Sequence, residues 1–569
     1  MMKQHSILKP KNRMKPVPLT LQKVQQLKML CYNYGTEAAV QKNILLTEFS
    51  NCVLRTPTVI KDYHDVLLYL KAYPDNRLLL KKTSLELLRV TDAIKKIMES
   101  RNYAAQRTLS GTGMAGTLII AQFSFDITQW LIQNFEKSIS FESAGGTPEQ
   151  GAAILHSVIP NIEYFYATQG EHSLQKRIEK LFLKTDTLLK NIIDLFATNI
   201  TTGKLRDALY DELKIFTEWK LEHPVYNRSF IQSILQKTFF HKNLAKKINI
   251  AKIIASPHVQ AISLSKKEKN YLVNIARASL AFYCRETDPV TYANAEEVTL
   301  FSCGRGLTIA LYSMQPERRL SIESYIGYMV FKNAIPVAYG GGWIFGERCK
   351  IGLHIYPPFR KGESAYLFAQ VLRVYHQYFH IQRFIIKPYQ FGKGNTEGLR
   401  SGAFWFYYKL GFRPTIKKIA DVAANEYDNR KQTPESVLKL FTHCNLELVL
   451  KATLLKDFDA SLISQAITLH INNQYNGNRT TAIHQSLLQL QQIIGIKKYN
   501  SLPPHLPDHI LQFSLMIALL PQIKEWNKKE KKGLADIVLS KVHRNERKYI
   551  LLLQKHNRLI QELYNKLAE

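Results

Sequence analysis

Cys349-Lys350-Ile351-Gly352-Leu353-His354-Ile355-Tyr356, then Pro357-Pro358-Phe359-Arg360-Lys361-Gly362-Glu363-Ser364-Ala365, predicts a strand, a bend and the start of a helix. The first eight residues are rich in β-branched and aromatic side chains, and two prolines end the run. Beyond Glu363, Ala365, Phe368, Ala369, Leu372 and Tyr375 recur at helical steps, carrying a helix to about Tyr378. Backbone N–H groups at such a helix start are unpaired and lie at the positive end of the helix dipole, so the bend is a place where an anion can sit. Gly362, Ser364 and Ala365 are small enough to let a diphosphate approach the backbone. Arg360 and Lys361 add positive charge at the rim.

Working outward, Val298–Phe301, Leu307–Tyr312, Tyr325–Phe331 and Pro336–Tyr339 are further strand-like runs. Gly304, Gly306, Asn333 and the Gly340-Gly341-Gly342 cluster read as turns between them. After the helix come a strand at Arg383–Lys387, a polar glycine-rich loop and a second helix from Gly402 to Lys409. The expected fold class is α+β: a mixed-sheet module at 280–420 embedded between mostly helical regions.

Four segments are expected. Residues 1–55 form a basic arm and linker, since residues 1–30 hold seven Lys or Arg and no carboxylate, with Pro10, Pro16 and Pro18 interspersed. Residues 56–279 read as helical. Thr83-Ser84-Leu85-Glu86 fits a capping box, Leu174 to Leu195 forms an amphipathic stripe, and Lys204–Trp219 and Ser229–Ile254 continue the pattern. Residues 280–420 hold the α/β module. Residues 421–569 return to helix, with Leu552, Leu559, Leu563 and Leu567 on one face of a basic last helix and Lys528–Lys532 in a solvated connection.

The whole chain has 569 residues, 46% hydrophobic and 22% charged, which suits ordinary buried cores and excludes global disorder. Its 77 Lys and Arg against 46 Asp and Glu give a net charge of +31, so an anionic partner fits: a phosphate-bearing cofactor, a nucleic acid or a membrane surface. Six scattered cysteines with no CxxC pair argue for reduced thiols and a cytoplasmic protein, with no metal site. The apolar stretches Leu118–Phe125 and Leu511–Ile523 fall short of the ~20 residues that span a bilayer. Ser110-Gly111-Thr112-Gly113-Met114-Ala115-Gly116 contains GxGxxG, but no buried strand precedes it, and a connection between helices is the expectation.

The segment Ser401-Gly402-Ala403-Phe404-Trp405-Phe406-Tyr407-Tyr408-Lys409-Leu410-Gly411-Phe412-Arg413-Pro414 resembles the closing signature of the GNAT acyltransferase superfamily, an aromatic-Tyr-x-Lys-Leu-Gly-Phe run. The bend at Phe359–Ser364 resembles the same family's pyrophosphate loop, and together the likeness covers roughly residues 300–415. It implies a split sheet that holds acetyl-CoA or another acyl-CoA as co-substrate, and direct attack of an amine acceptor on the thioester. It also implies that Tyr407 is the general acid that returns a proton to the departing thiolate. Phe359, Arg360, Lys361, Gly362, Glu363 and Ser364 would line the diphosphate, with Asn395 standing for the family's asparagine after an insertion. The pattern also departs from the family: Phe359 stands where Gln or Arg is usual, and Lys350 where the family often has a Glu. His354 and Glu347 are then the residues open to serve as base, with His354 ahead because a neutral imidazole needs little tuning near pH 7.

Other readings stay open. The aromatic run at 404–408 also suits a plain core cluster. The charge also suits a nucleic-acid or polyanion-binding protein with a degenerate GNAT-like core, or a transferase that takes its donor from aminoacyl-tRNA.

Overall fold

The computed structural model describes residues 17–170, 173–183, 185–234, 237–429, 432–451, 459–495, 507–542 and 545–568. The protein mixes helix and sheet, and the chain folds as two compact units. The first comprises Met1–Gln122, Leu131–Phe230 and Phe239–Leu244; the second comprises Phe123–Trp130, Ile231–Thr238 and Ala245–Glu569.

The first unit opens with four helices, Leu21–Leu30, Thr36–Ser50, Pro57–Ala72 and Arg77–Met98. Residues 1–16 of the expected basic arm lie outside the described residues. The remainder of that arm is mostly two helices, the first set by the buried Val24 and Leu27 and by the Thr20 hydroxyl, which accepts from the Lys23 amide. The expected capping box at Thr83 is also corrected. The helix begins six residues earlier, capped by the Asn76 side chain on the Leu79 amide, and Thr83 is buried in its interior.

Three strands, β1 Leu118–Gln122, β2 Ile139–Ala144 and β3 Ile215–Lys220, form an antiparallel sheet in the order β1-β3-β2. The mostly helical reading of 56–279 missed these strands for a readable reason. Ile215, Thr217 and Trp219 are buried at alternate positions, a period of two that the neighbouring helical pattern obscured. The stripe at 174–195 is two helices, Leu174–Phe182 and Leu188–Asn199, with Leu183 at φ +55° between them. Among the described residues, Ser229–Ile254 is helical only at Ile250–Ile254. The GxGxxG segment joins the helix Tyr103–Leu109 to β1 rather than to a second helix, with Gly111, Gly113 and Gly116 all at positive φ.

The second unit is built on a nine-stranded sheet. Its strands are β4 Gln260–Ile262, β5 Thr299–Ser302, β6 Leu307–Tyr312, β7 Ser324–Lys332, β8 Ile335–Phe345, β9 Arg348–Ile355, β10 Arg383–Ile386, β11 Arg413–Pro414 and β12 Leu446–Val449. The order is β11-β12-β10-β9-β8-β7-β6-β5-β4. Neighbours are antiparallel throughout except β9 and β10, which are parallel. A parallel step needs a crossover, and the helix Ser364–Phe379 supplies it. Leu367, Phe368, Val371, Leu372 and Tyr375 are its buried face, and the Tyr375 hydroxyl donates to the Ile326 carbonyl at 2.6 Å.

The sheet runs past both ends of the expected 280–420 module. Residues after 421 are not a separate helical region either. Arg319 bridges Glu297 at 2.7 Å and Glu546 at 3.0 Å, and Lys541 reaches Glu546 at 2.7 Å, all in the buried interior of this unit. Lys528–Lys532 opens the helix Lys528–Val542, and the last basic helix is two, Glu546–Lys555 and Asn557–Ala568.

The Gly340-Gly341-Gly342 cluster lies inside β8 and not at a turn. A Cβ at Gly342 would lie 2.5 Å from the Cys349 sulfur and 2.7 Å from the Tyr375 ring, and one at Gly341 would lie 2.5 Å from the Tyr325 ring. The glycines are there because aromatic rings lie against the bare strand.

Candidate functional site

The parallel pairing of β9 with β10 lasts three residues: Arg348↔Arg383, Cys349↔Phe384 and Lys350↔Ile385. From Ile351 to Ile355, β9 keeps its antiparallel neighbour β8, and among the described residues no strand pairs with its other side. That edge offers backbone donors and acceptors to an extended ligand.

The strand leads directly into the bend. Pro357–Phe359 is a single 3-10 turn, with Phe359 buried as its anchor and its amide bonded to the Tyr356 carbonyl at 2.9 Å. The Gly362 amide returns to the Phe359 carbonyl at 3.0 Å, and the Ser364 hydroxyl donates to the Arg360 carbonyl at 2.8 Å. The helix ladder begins with the Leu367 amide on the Glu363 carbonyl, so the amides of Ser364, Ala365 and Tyr366 stand at the open helix end. Lys361 is exposed, and Arg360 is exposed but bridged to Glu397 at 2.6 Å.

Glu363 sits in the bend but turns inward. Its carboxylate meets Lys332 at 2.5 Å, Arg305 at 2.7 Å and the Ala245 amide at 2.8 Å. Burial works to raise its pKa, and these partners outweigh that and hold the carboxyl below its ordinary value. Burial likewise pulls Lys332 down to about 8, against the attraction of Glu363. Glu363 therefore anchors the bend, and its charge is answered before any ligand arrives.

His354 lies on the unpaired part of β9, its ring 5.0 Å from that of Tyr339. Burial, then the charges of Arg360 and Arg285, lower its pKa to about 4, so the imidazole is neutral near pH 7. Glu347 is elsewhere. It is exposed in the turn before β9, and its carbonyl accepts from the Gln382 and Arg383 amides. Seven residues of strand, about 23 Å, separate it from His354. Asn395 caps the short helix Thr396–Arg400 through the Gly398 amide at 3.0 Å and donates to the Tyr389 carbonyl at 3.0 Å, so both ends of its amide are engaged in the local turn.

The helix Ala403–Lys409 sorts its aromatics by face. Phe404 and Tyr408, four residues apart, pack with Phe441 and Tyr427. Tyr407 faces elsewhere, its ring 5.7 Å from Phe368 and 6.0 Å from Phe412. Phe368 is one turn into the helix that starts at Ser364, about 6 Å along its axis. Tyr407 therefore lies at the same end of the sheet as the bend. The Tyr407 side chain is buried, and burial raises its pKa, so the phenol stays protonated.

Two side chains that sequence patterns did not single out sit at the split. The Tyr328 hydroxyl donates to the Gly352 carbonyl at 2.5 Å, and Tyr407 is among the side chains that act on it electrostatically. The Gln390 amide lies over Gly352, where a Cβ would come within 2.8 Å of its nitrogen. The glycine cluster of β8 was the available signal for Tyr328, since a Cβ at Gly340 would lie 2.5 Å from that hydroxyl oxygen. No sequence signal marks Gln390.

Among the described residues no three His, Cys, Asp or Glu side chains converge as a metal site requires, and no helix is long and apolar enough to cross a membrane. Set against family models, curated proteins and solved structures, the chain matches none.

Proposed function

We propose that the second unit is a GNAT-like N-acyltransferase that moves an acyl group from acyl-CoA to an amine by direct attack. The observation that carries this reading is the early parting of β9 from β10, which leaves Ile351–Ile355 open beside a bend that ends at a helix start. A pantetheine arm is an extended chain of amides, and an open strand edge suits it. A diphosphate suits the amides of Ser364, Ala365 and Tyr366, with Lys361 at the rim.

In this reading the amine nitrogen attacks the thioester carbon, the C–S bond breaks, and the departing sulfur takes a proton from Tyr407. A phenol kept protonated by burial is suited to that donation. The proton lost by the amine passes to His354, directly or through water. That imidazole is neutral and able to accept, although the cations and burial that lower its pKa also weaken it as a base. Glu347 at the far end of β9, Glu363 in its ion cluster and Asn395 in its cap take no part in the chemistry of this reading.

Calorimetric titration of acetyl-CoA into the whole protein and into Gly362→Glu tests it. Binding by the wild type that disappears in the variant supports the bend as the diphosphate site. Absence of heat with both proteins refutes it.

A further inference from the structure

Two segments that pack on each other in the second unit contain no carboxylate. No Asp or Glu occurs between Glu222 and Glu268, or between Glu363 and Glu397. In this unit the first segment runs from Ala245 alongside the Ser364–Phe379 helix. The Ala245 amide is bonded to Glu363 at the helix start, the helix Ile250–Ile254 packs midway, and Arg373 donates to the Pro257 carbonyl. Near the far end the Val259 amide donates to Gln377 at 2.8 Å, and Gln377 donates to the Ser256 carbonyl at 2.8 Å. Lys246, Lys247 and Lys252 are exposed along this path, and among the described residues none of them has an ion-pair partner. The two carboxylates that border the bend are both engaged, Glu363 with Lys332 and Arg305, and Glu397 with Arg360.

The segment follows the helix from Glu363 to Gln377, about 21 Å, and its lysines start one residue past the contact at the helix start and end at Lys252 in the helix Ile250–Ile254. It begins at the bend, where Arg360 bridges Glu397 on the helix Thr396–Arg400, and Asn395 at the start of that helix donates to the carbonyl of Tyr389, whose ring is 59% exposed. We propose that this stripe binds the phosphodiester backbone of single-stranded nucleic acid, with Tyr389 as a face on which a base stacks. A regularly charged, flexible chain fits three exposed lysines without ion-pair partners among the described residues, in a segment that starts at the same bend to which the helix beyond Tyr389 is bridged. A lipid surface would favour a broad patch bordered by apolar side chains. The inference does not depend on acyl transfer, since it concerns the outer side of the helix rather than the split in the sheet.

Fluorescence anisotropy with a labelled 20-nucleotide single strand, as RNA and as DNA, tests it on the full chain at 50 and 200 mM salt. Lys246→Gln/Lys247→Gln/Lys252→Gln should weaken binding of at least one strand about tenfold at 50 mM. It should also make the logarithmic salt dependence shallower by about 2, as the loss of three phosphate contacts requires. The comparison variant Lys528→Gln/Lys529→Gln/Lys532→Gln removes the same charge from another exposed run. An equal loss in both variants would overturn the stripe in favour of diffuse attraction to net charge. So would wild-type protein that fails to bind either strand at 50 mM, or a stripe variant that loses phosphatidylserine vesicles while keeping both strands.

Discussion

The hydroxyl of Tyr328 is bonded to the carbonyl oxygen of Gly352 two residues past the point where β9 loses its parallel neighbour. A fully buried phenol on β7 thereby reaches across β8, and the bare backbone of Gly340 gives it passage. The bond fixes the open part of β9 against the rest of the sheet. Tyr328→Phe leaves the Gly352 oxygen short of a buried partner and should cost about 1–3 kcal/mol in chemical denaturation. A variant with an unchanged midpoint would show that the contact holds nothing in place.

Tyr407→Phe keeps the ring that packs on Phe368 and Phe412 and removes only the hydroxyl that would give the proton. If acetyl transfer is established, turnover should drop roughly 100-fold while acetyl-CoA affinity in calorimetry changes little. Full turnover in this variant would remove Tyr407 from the acid's role.

The lowered pKa of His354 has a sign that can be measured. The unfolded chain binds a proton near the ordinary value of 6.5, whereas the folded chain resists until about 4. Stability contributed here is complete above pH 6.5 and falls away as pH drops toward 4. His354→Gln should flatten that part of the stability profile in urea titrations at pH 7, 5.5 and 4.5. A wild-type profile no steeper than the variant's would contradict the shift.

The cluster under the bend gives a stability prediction. Glu363→Gln removes the carboxylate that faces Lys332 and Arg305 and should cost about 3–5 kcal/mol, because a buried ammonium is left unanswered. Adding Lys332→Met should recover much of that loss. Failure of the double variant to recover stability would place the cost in the lost Arg305 bridge instead.

Gly342→Ala tests the reading of the glycine cluster. The added methyl meets the Cys349 sulfur and the Tyr375 ring inside the sheet, and a destabilisation of about 1–3 kcal/mol follows from overpacking. Thermal unfolding against wild type measures it, and a neutral outcome would mean the ring has room to withdraw.

Much of the second unit's sheet was legible because its runs are short, β-branched and separated by polar turns. Leu307–Tyr312 is a strand over the residues its pattern implies, and the helix predicted from Glu363 to Tyr378 runs Ser364–Phe379. The failures share a cause: a local pattern was answered by distant neighbours. Ile215-Phe216-Thr217 follows a helix and continues its apolar content, yet it lies between β1 and β2, which only tertiary pairing reveals. Gly340–Gly342 looks like a turn until the rings of Tyr325, Tyr328 and Tyr375 are placed on it. The bend and the helix that carries Tyr407 were readable from local runs. The inward turn of Glu363 depends on Lys332 and Arg305, which lie 31 and 58 residues away in the chain. Glu347 and His354 read as neighbours in the sequence, but a strand puts residues seven apart at its opposite ends.

The brevity of the β9–β10 ladder also has a kinetic signature. Along Ile351–Ile355, amides that point toward β8 are locked in rungs, while those between them face a gap. Deuterium should therefore enter this one strand in alternation, every second position filling quickly, and an occupant of the gap would silence the fast ones alone.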